Sequence, residues 1–155
     1  MLLAIGRLTT EVARMDSLNT ILQHTVNSVA QAFSNPDSVF VSIIYKGDSY
    51  TNGQSSAATG NLTVPINVNG AAAGSIALSF DADNQADSAA AERFATEIAE
   101  IIATQAIRLK YTELKWQNRE RLKELDAINY TTQIIKHGLP IDETLQSICS
   151  MLPRV

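Results

Sequence analysis

A single cysteine, Cys149, rules out an internal disulfide, and with it a small scaffold held together by cross-links. A lone thiol fits a reducing compartment, and a cytoplasmic location is expected. Prolines number four and glycines seven, and none of them falls between Gly74 and Gly138. Nothing in that stretch removes a backbone donor or loosens the backbone enough to interrupt a helix. Long hydrophobic runs are also missing, so no membrane span is expected. The opening Met1-Leu2-Leu3-Ala4-Ile5 meets Arg7, Glu11 and Arg14 too soon to be a signal peptide. Basic residues are outnumbered, 12 Lys and Arg against 16 Asp and Glu, for a net charge of -4. That balance argues against nucleic acid, whose phosphates require a basic surface.

Signatures of catalysis are absent too. There is no Ser-His-Asp arrangement and no Cys/His cluster. Gly70-x-x-x-Gly74 reads as part of a hairpin, because no Lys-Ser/Thr follows to complete a phosphate loop. No catalytic residue, metal or cofactor is expected, and the chain does not read as an enzyme.

What remains is a chain of 155 residues, 45% hydrophobic and 18% charged, enough for one domain with a core. Its first part predicts two helices. Leu2, Ile5, Leu8 and Val12 recur at helical spacing, as do Leu18, Ile21, Leu22, Val26, Val29 and Phe33. Asp16 or Ser17 is positioned to cap the second helix, and Ser34-Asn35-Pro36-Asp37 to end it.

The middle predicts strands. Val39, Val41, Ile43 and Tyr45 alternate with Phe40, Ser42, Ile44 and Lys46, and Gly47-Asp48 offers a turn into a short strand at 49–52. Leu62, Val64, Ile66 and Val68 alternate with polar neighbours. Asn69-Gly70 then supplies the two residues most tolerant of positive φ, leading into a strand through Ile76, Leu78 and Phe80. Pro65 inside its strand points to a sheet edge or a bulge. The face opposite the apolar one carries Phe40, Ser42, Ile44, Thr63, Asn67, Ser75 and Ser79, a candidate surface for a small polar ligand.

From about Asp87 the pattern is helical. Phe94, Ile98, Ile101, Ile102 and Leu109 form a broad apolar face suited to covering a sheet. Beyond it the pattern narrows to Ile107, Tyr111, Leu114, Asn118, Leu122, Leu125, Asn129 and Thr132, with steps of four, three, four, four, three, four and three. That is a coiled-coil seam with one extra four-residue step, a stutter. The flanks carry Lys110, Glu113, Lys115, Arg119, Glu120, Arg121 and Lys123, too polar for a globular core. So narrow a seam predicts a partner helix. Asn118 and Asn129 on it would fix register at some cost in stability.

The opening also recurs. At an offset of 123, Leu125, Ala127, Ile128 and Thr132 match Leu2, Ala4, Ile5 and Thr9, and Leu145-Gln146 matches Leu22-Gln23. A second unit is therefore expected to begin here, with a domain over 1–112, a helical linker over 113–136 and the start of a further module over 137–155.

These features together resemble the GAF domain family. The carriers are Leu2-x-x-Ile5-x-x-Leu8 and Leu18-x-x-Ile21-Leu22, then Val64-Pro65-Ile66-x-Val68-Asn69-Gly70 leading to Gly74-x-Ile76-x-Leu78. The stretch from Glu92 and Phe94 through Ile98-Ala99-x-x-Ile102-Ala103 completes them. The resemblance implies an α+β fold: an antiparallel sheet of about four strands, helices on one face and a ligand space on the other. It also implies a parallel homodimer whose terminal helices run as coiled coils into neighbouring domains of a bacterial sensor, such as a histidine kinase. A ligand-binding sensor, or a regulatory domain attached to a diguanylate cyclase or phosphotransferase, is the alternative. Family members that hold large cofactors carry a helical insertion where this chain has only the small-residue span from Gly53 to Gly60. No such cofactor is expected.

Four further side chains have ordinary readings. His24 has no second ligand near it in sequence, His137 suits a helix end, and Cys149 has no basic neighbour to activate it. Trp116 lies off the seam.

Overall fold

The computed structural model describes residues 2–33, 35–53, 60–80, 88–137 and 146. The chain divides into two units, Met1–Lys110 and Tyr111–Val155. In chain order the elements are α1 (Leu2–Val12), α2 (Leu18–Ala30), a 3-10 turn (Pro36–Ser38), β1 (Val39–Tyr45), β2 (Asp48–Thr51), β3 (Gly60–Val68), β4 (Ala71–Phe80) and α3 (Ser88–His137). The fold is α+β, with four antiparallel strands in the order β2-β1-β4-β3. Among the described residues no helix is long and apolar enough to cross a membrane.

Alternation decides which face of the sheet is covered. Val39, Val41, Ile43 and Tyr45 of β1, Val64 and Ile66 of β3, and Ile76, Leu78 and Phe80 of β4 are all buried. They share one core with Leu8 and Val12 of α1, Ile21, Leu22, Val26 and Val29 of α2, and Phe94, Ile98 and Ile102 of α3. Burying each such side chain contributes about 1.5–3 kcal/mol. The start of α3 is held to the end of α2 by an edge-to-face contact between Phe94 and Phe33, ring centres 6.0 Å apart.

β3 pairs only with β4 among the described strands, which explains Pro65. An edge strand tolerates a residue with no backbone donor. A register shift at Ile66/Asn67 lies directly beside it. Asn69 and Gly70 both take positive φ, 52° and 78°, the type I′ pattern expected of the dipeptide.

Two local expectations need correction. The first hairpin turns at Lys46-Gly47 (φ 51° and 95°), one residue earlier than Gly47-Asp48, so β2 starts at Asp48. Lys46 accepts the left-handed backbone because its N–H reaches the Ala73 carbonyl of β4 at 2.9 Å. At the second helix Ser17 occupies the cap position, but its hydroxyl makes no capping bond; only its carbonyl accepts, from the Ile21 N–H at 3.0 Å.

Asn52, just past β2, continues the sheet with its side chain. Its Oδ1 accepts from the Val41 N–H at 2.8 Å, and its Nδ2 donates to the Val39 carbonyl, also at 2.8 Å. The carboxamide thus stands in for one more residue of strand. Asn52→Ala is expected to lower stability by ~1–2 kcal/mol, since two partly buried β1 groups lose their partners. Urea denaturation measures this, and an unchanged midpoint would show that water replaces both bonds without loss.

Candidate functional site

The first candidate surface lies along α3, a 50-residue helix about 75 Å long at 1.5 Å per residue. At ~100° per residue, Ile107, Tyr111, Leu114, Asn118, Leu122, Leu125 and Asn129 fall within roughly 80° of its circumference. All seven are exposed, Tyr111 at 68% and Leu122 at 61%. Tyr111, Leu114, Lys115, Asn118, Arg119 and Leu122 line an open groove of about 630 Å³. The stripe is therefore apolar, continuous and uncovered in the single chain, with cationic side chains beside its midpoint. Thr132, next on the row, is exposed as well. Trp116 is 65% exposed and points away from the stripe, at about 180° from Ile107.

The second candidate surface is the sheet face turned away from the core. Register brings Phe40 beside Ser79, Ser42 beside Ala77, and Ile44 beside Ser75, while Thr63 lies across from Ala77. Phe40, Ser42, Ser75 and Ser79 are half-buried; Ile44, Thr63 and Asn67 are exposed. Sequence alternation thus places these residues on one side of the sheet, with Asn67 at its β3–β4 end. The Ser79 hydroxyl donates to Asn61 Oδ1 at 2.7 Å, a partner that the sequence pattern did not point out. Between the hairpin turns the strands place only hydroxyl, amide and apolar groups on this face. It can hydrogen-bond a ligand but has no group there to transfer a proton.

His24 has a structural partner. Its Nε2 lies 2.7 Å from Glu11 Oε2 and 3.3 Å from Ser28 Oγ, and Arg7 Nε donates to Glu11 Oε1 at 2.8 Å. The hydrogen bond from Arg7, and then that from His24, hold the Glu11 carboxyl below the ordinary carboxylate range. This set ties α1 to α2. Among the described residues no group of three or more His, Cys, Asp or Glu is placed to hold a metal. Cys149 and most of the segment 137–155 lie outside the described residues.

One buried polar contact has no signal in the sequence. Arg108, on α3, donates to the Ala13 carbonyl from Nη1 and to the Met15 carbonyl from Nη2, bridging 95 and 93 residues. Three residues earlier Gln105 is 7% exposed, on the core side of the helix. Neither residue breaks the helical pattern, so periodicity could not single them out.

No protein-family model matches the chain, and no curated protein matches its sequence.

Proposed function

We propose that the chain is a non-catalytic signal-relay and dimerisation module of the GAF type, working in the cytoplasm as part of a multidomain bacterial sensor, a histidine kinase. One observation carries the reading. A single unbroken helix contributes to a sheet-covering core near its start and then presents an uncovered apolar stripe. Helical stability normally comes from burying an amphipathic face against something else. A stripe about 80° wide suits one partner helix better than it suits a sheet. The partner is a second copy of the chain in parallel register, which sets Leu114 against Leu114 and Asn118 against Asn118. The polar pair disfavours other registers, because a shifted chain would bury an unpaired carboxamide against leucine.

The stutter is the part of the stripe that serves a relay. An extra four-residue step lets the same side chains settle into two nearby rotational packings. An upstream bias between them then reaches an output domain as a change in helix phase.

Sedimentation equilibrium tests the dimer. The chain is expected to run as a dimer at tens of micromolar, and Leu114→Asp with Leu122→Asp to convert it to a monomer whose β-sheet circular dichroism is unchanged. A wild-type monomer at that concentration would remove the reading.

A further inference from the structure

α1 lacks a cation of its own where it most needs one. Its last turn has no basic residue, yet the closing carbonyls of a helix have no intrahelical donors and carry the negative end of its dipole. The chain around the end of α1 closes with short-range bonds from the Ala13, Arg14 and Met15 N–H groups to Thr9, Glu11 and Val12. The carbonyls of Ala13 and Met15 receive the Arg108 guanidinium instead. A planar fork of N–H donors suits two carbonyls at once, which a lysine ammonium does not reproduce.

One turn earlier, the same side of α3 has the reverse situation. Gln105 sits among Ile98, Ile102 and Ala106 on the buried face, and its Oε1 accepts no hydrogen bond from any described group. A buried carbonyl oxygen in that position destabilises the closed arrangement, whereas opening would give it water.

We propose that Arg108 and Gln105 form a releasable latch between α3 and the end of α1. Arg108 favours the closed state by two charge-assisted bonds, and Gln105 favours release by the hydration its oxygen gains. Opposed terms of similar size, one turn apart, are what a two-state element requires. Phe94 against Phe33 anchors α3 fourteen residues before Arg108, so release frees the later turns of the helix while its start stays fixed. Ile107, where the apolar stripe begins, neighbours Arg108 directly. Its direction is set while the latch is closed and freed when it opens. The latch belongs to residues 1–110 and needs no dimer; only its use in signalling rests on the relay reading.

Amide hydrogen exchange on the full chain tests it, with residues 9–18 as the reporter and α2 and β4 as internal controls. Arg108→Ala is expected to speed exchange in the reporter by about tenfold or more, from loss of two bonds to a charged group, with the controls little changed. Arg108→Lys should fall between, because one point charge cannot serve both carbonyls. Gln105→Leu should slow the reporter several-fold by removing the term that favours release. If Arg108→Ala unfolds the chain, Arg108→Lys and Gln105→Leu still decide. Uniform acceleration in reporter and controls, or faster reporter exchange in Gln105→Leu, would overturn the latch. Sedimentation of the same samples reports the dimer separately, so either idea can fail without the other.

Discussion

Gly74→Ala is expected to destabilise the protein by ~3 kcal/mol, the upper end of the range for overpacking, and to lower Tm by roughly 10 °C. The cause is local and backbone-deep. A Cβ on Gly74 would collide with the Ile44 carbonyl oxygen and press on Tyr45 Cα, both in the neighbouring strand β1. β4 is central, paired with β1 on one side and β3 on the other, so it cannot retreat without breaking a ladder. The crowding comes from a bulge: Ile66 faces Gly74 but Asn67 faces Ala72, which leaves Ala73 as the extra residue. Ala73 still accepts from Lys46, so the bulge also sets the first hairpin turn. Gly6→Ala makes the same chemical change in α1 with nothing within 4 Å, and should stabilise by up to ~1 kcal/mol through helix propensity. Thermal circular dichroism of the two variants measures both effects. Similar Tm values would show that β1 and β4 can separate locally, and the close-approach explanation would fail.

That glycine illustrates how far the sequence could be read. Hairpins and faces were legible because they depend on near neighbours. Asn69-Gly70 specifies its turn through two backbone preferences, and β1 shows its buried face in every second residue. Pro65 indicated an edge or a bulge, and the structure has both beside it. The Lys46-Gly47 turn was misplaced by one residue because its stabilising acceptor, Ala73, lies 27 positions on in the chain. Asn52 was invisible for the same reason. An asparagine after a strand reads as a turn residue unless the free groups of β1 are already in view.

The two candidate surfaces differ in the same way. The stripe from Ile107 to Asn129 is a property of one helix, so spacing alone located it. The outer sheet face followed from alternation, although the bond between Ser79 and Asn61 needed the β3–β4 register. Arg108 and Gln105 were unreadable because their meaning lies in what faces them. On a helix wheel Gln105 looks like a polar interruption and Arg108 like a solvated charge. His24 likewise looked isolated, since Glu11 reaches it only when α1 and α2 pack together. Ile135, the counterpart of buried Val12 in the repeated opening, is exposed, while the helix that would cover it, at 141–153, lies outside the described residues but for Gln146.

The relay reading makes its largest prediction on α3. Within the protein that carries an output domain, deleting residues 119–125 should preserve regulated output, whereas deleting 119–122 should lock it on or off. The seam positions explain the contrast. Removing seven residues places Asn129 four positions after Asn118, so the extra step survives and the helix phase downstream is unchanged. Removing four places Leu125 three positions after Asn118, which restores an unbroken heptad and abolishes the stutter. It also turns everything downstream by about 50°, because four residues exceed one 3.5-residue turn by half a residue. The larger deletion shortens the helix more, yet it should matter less. Both variants keep an apolar stripe and should still dimerise, which sedimentation can establish before function is measured. Output activity, autophosphorylation for a kinase, is then compared under conditions that toggle the intact protein. Regulated output from both deletions, or loss of regulation in both, would mean that α3 is a tether whose phase carries no signal.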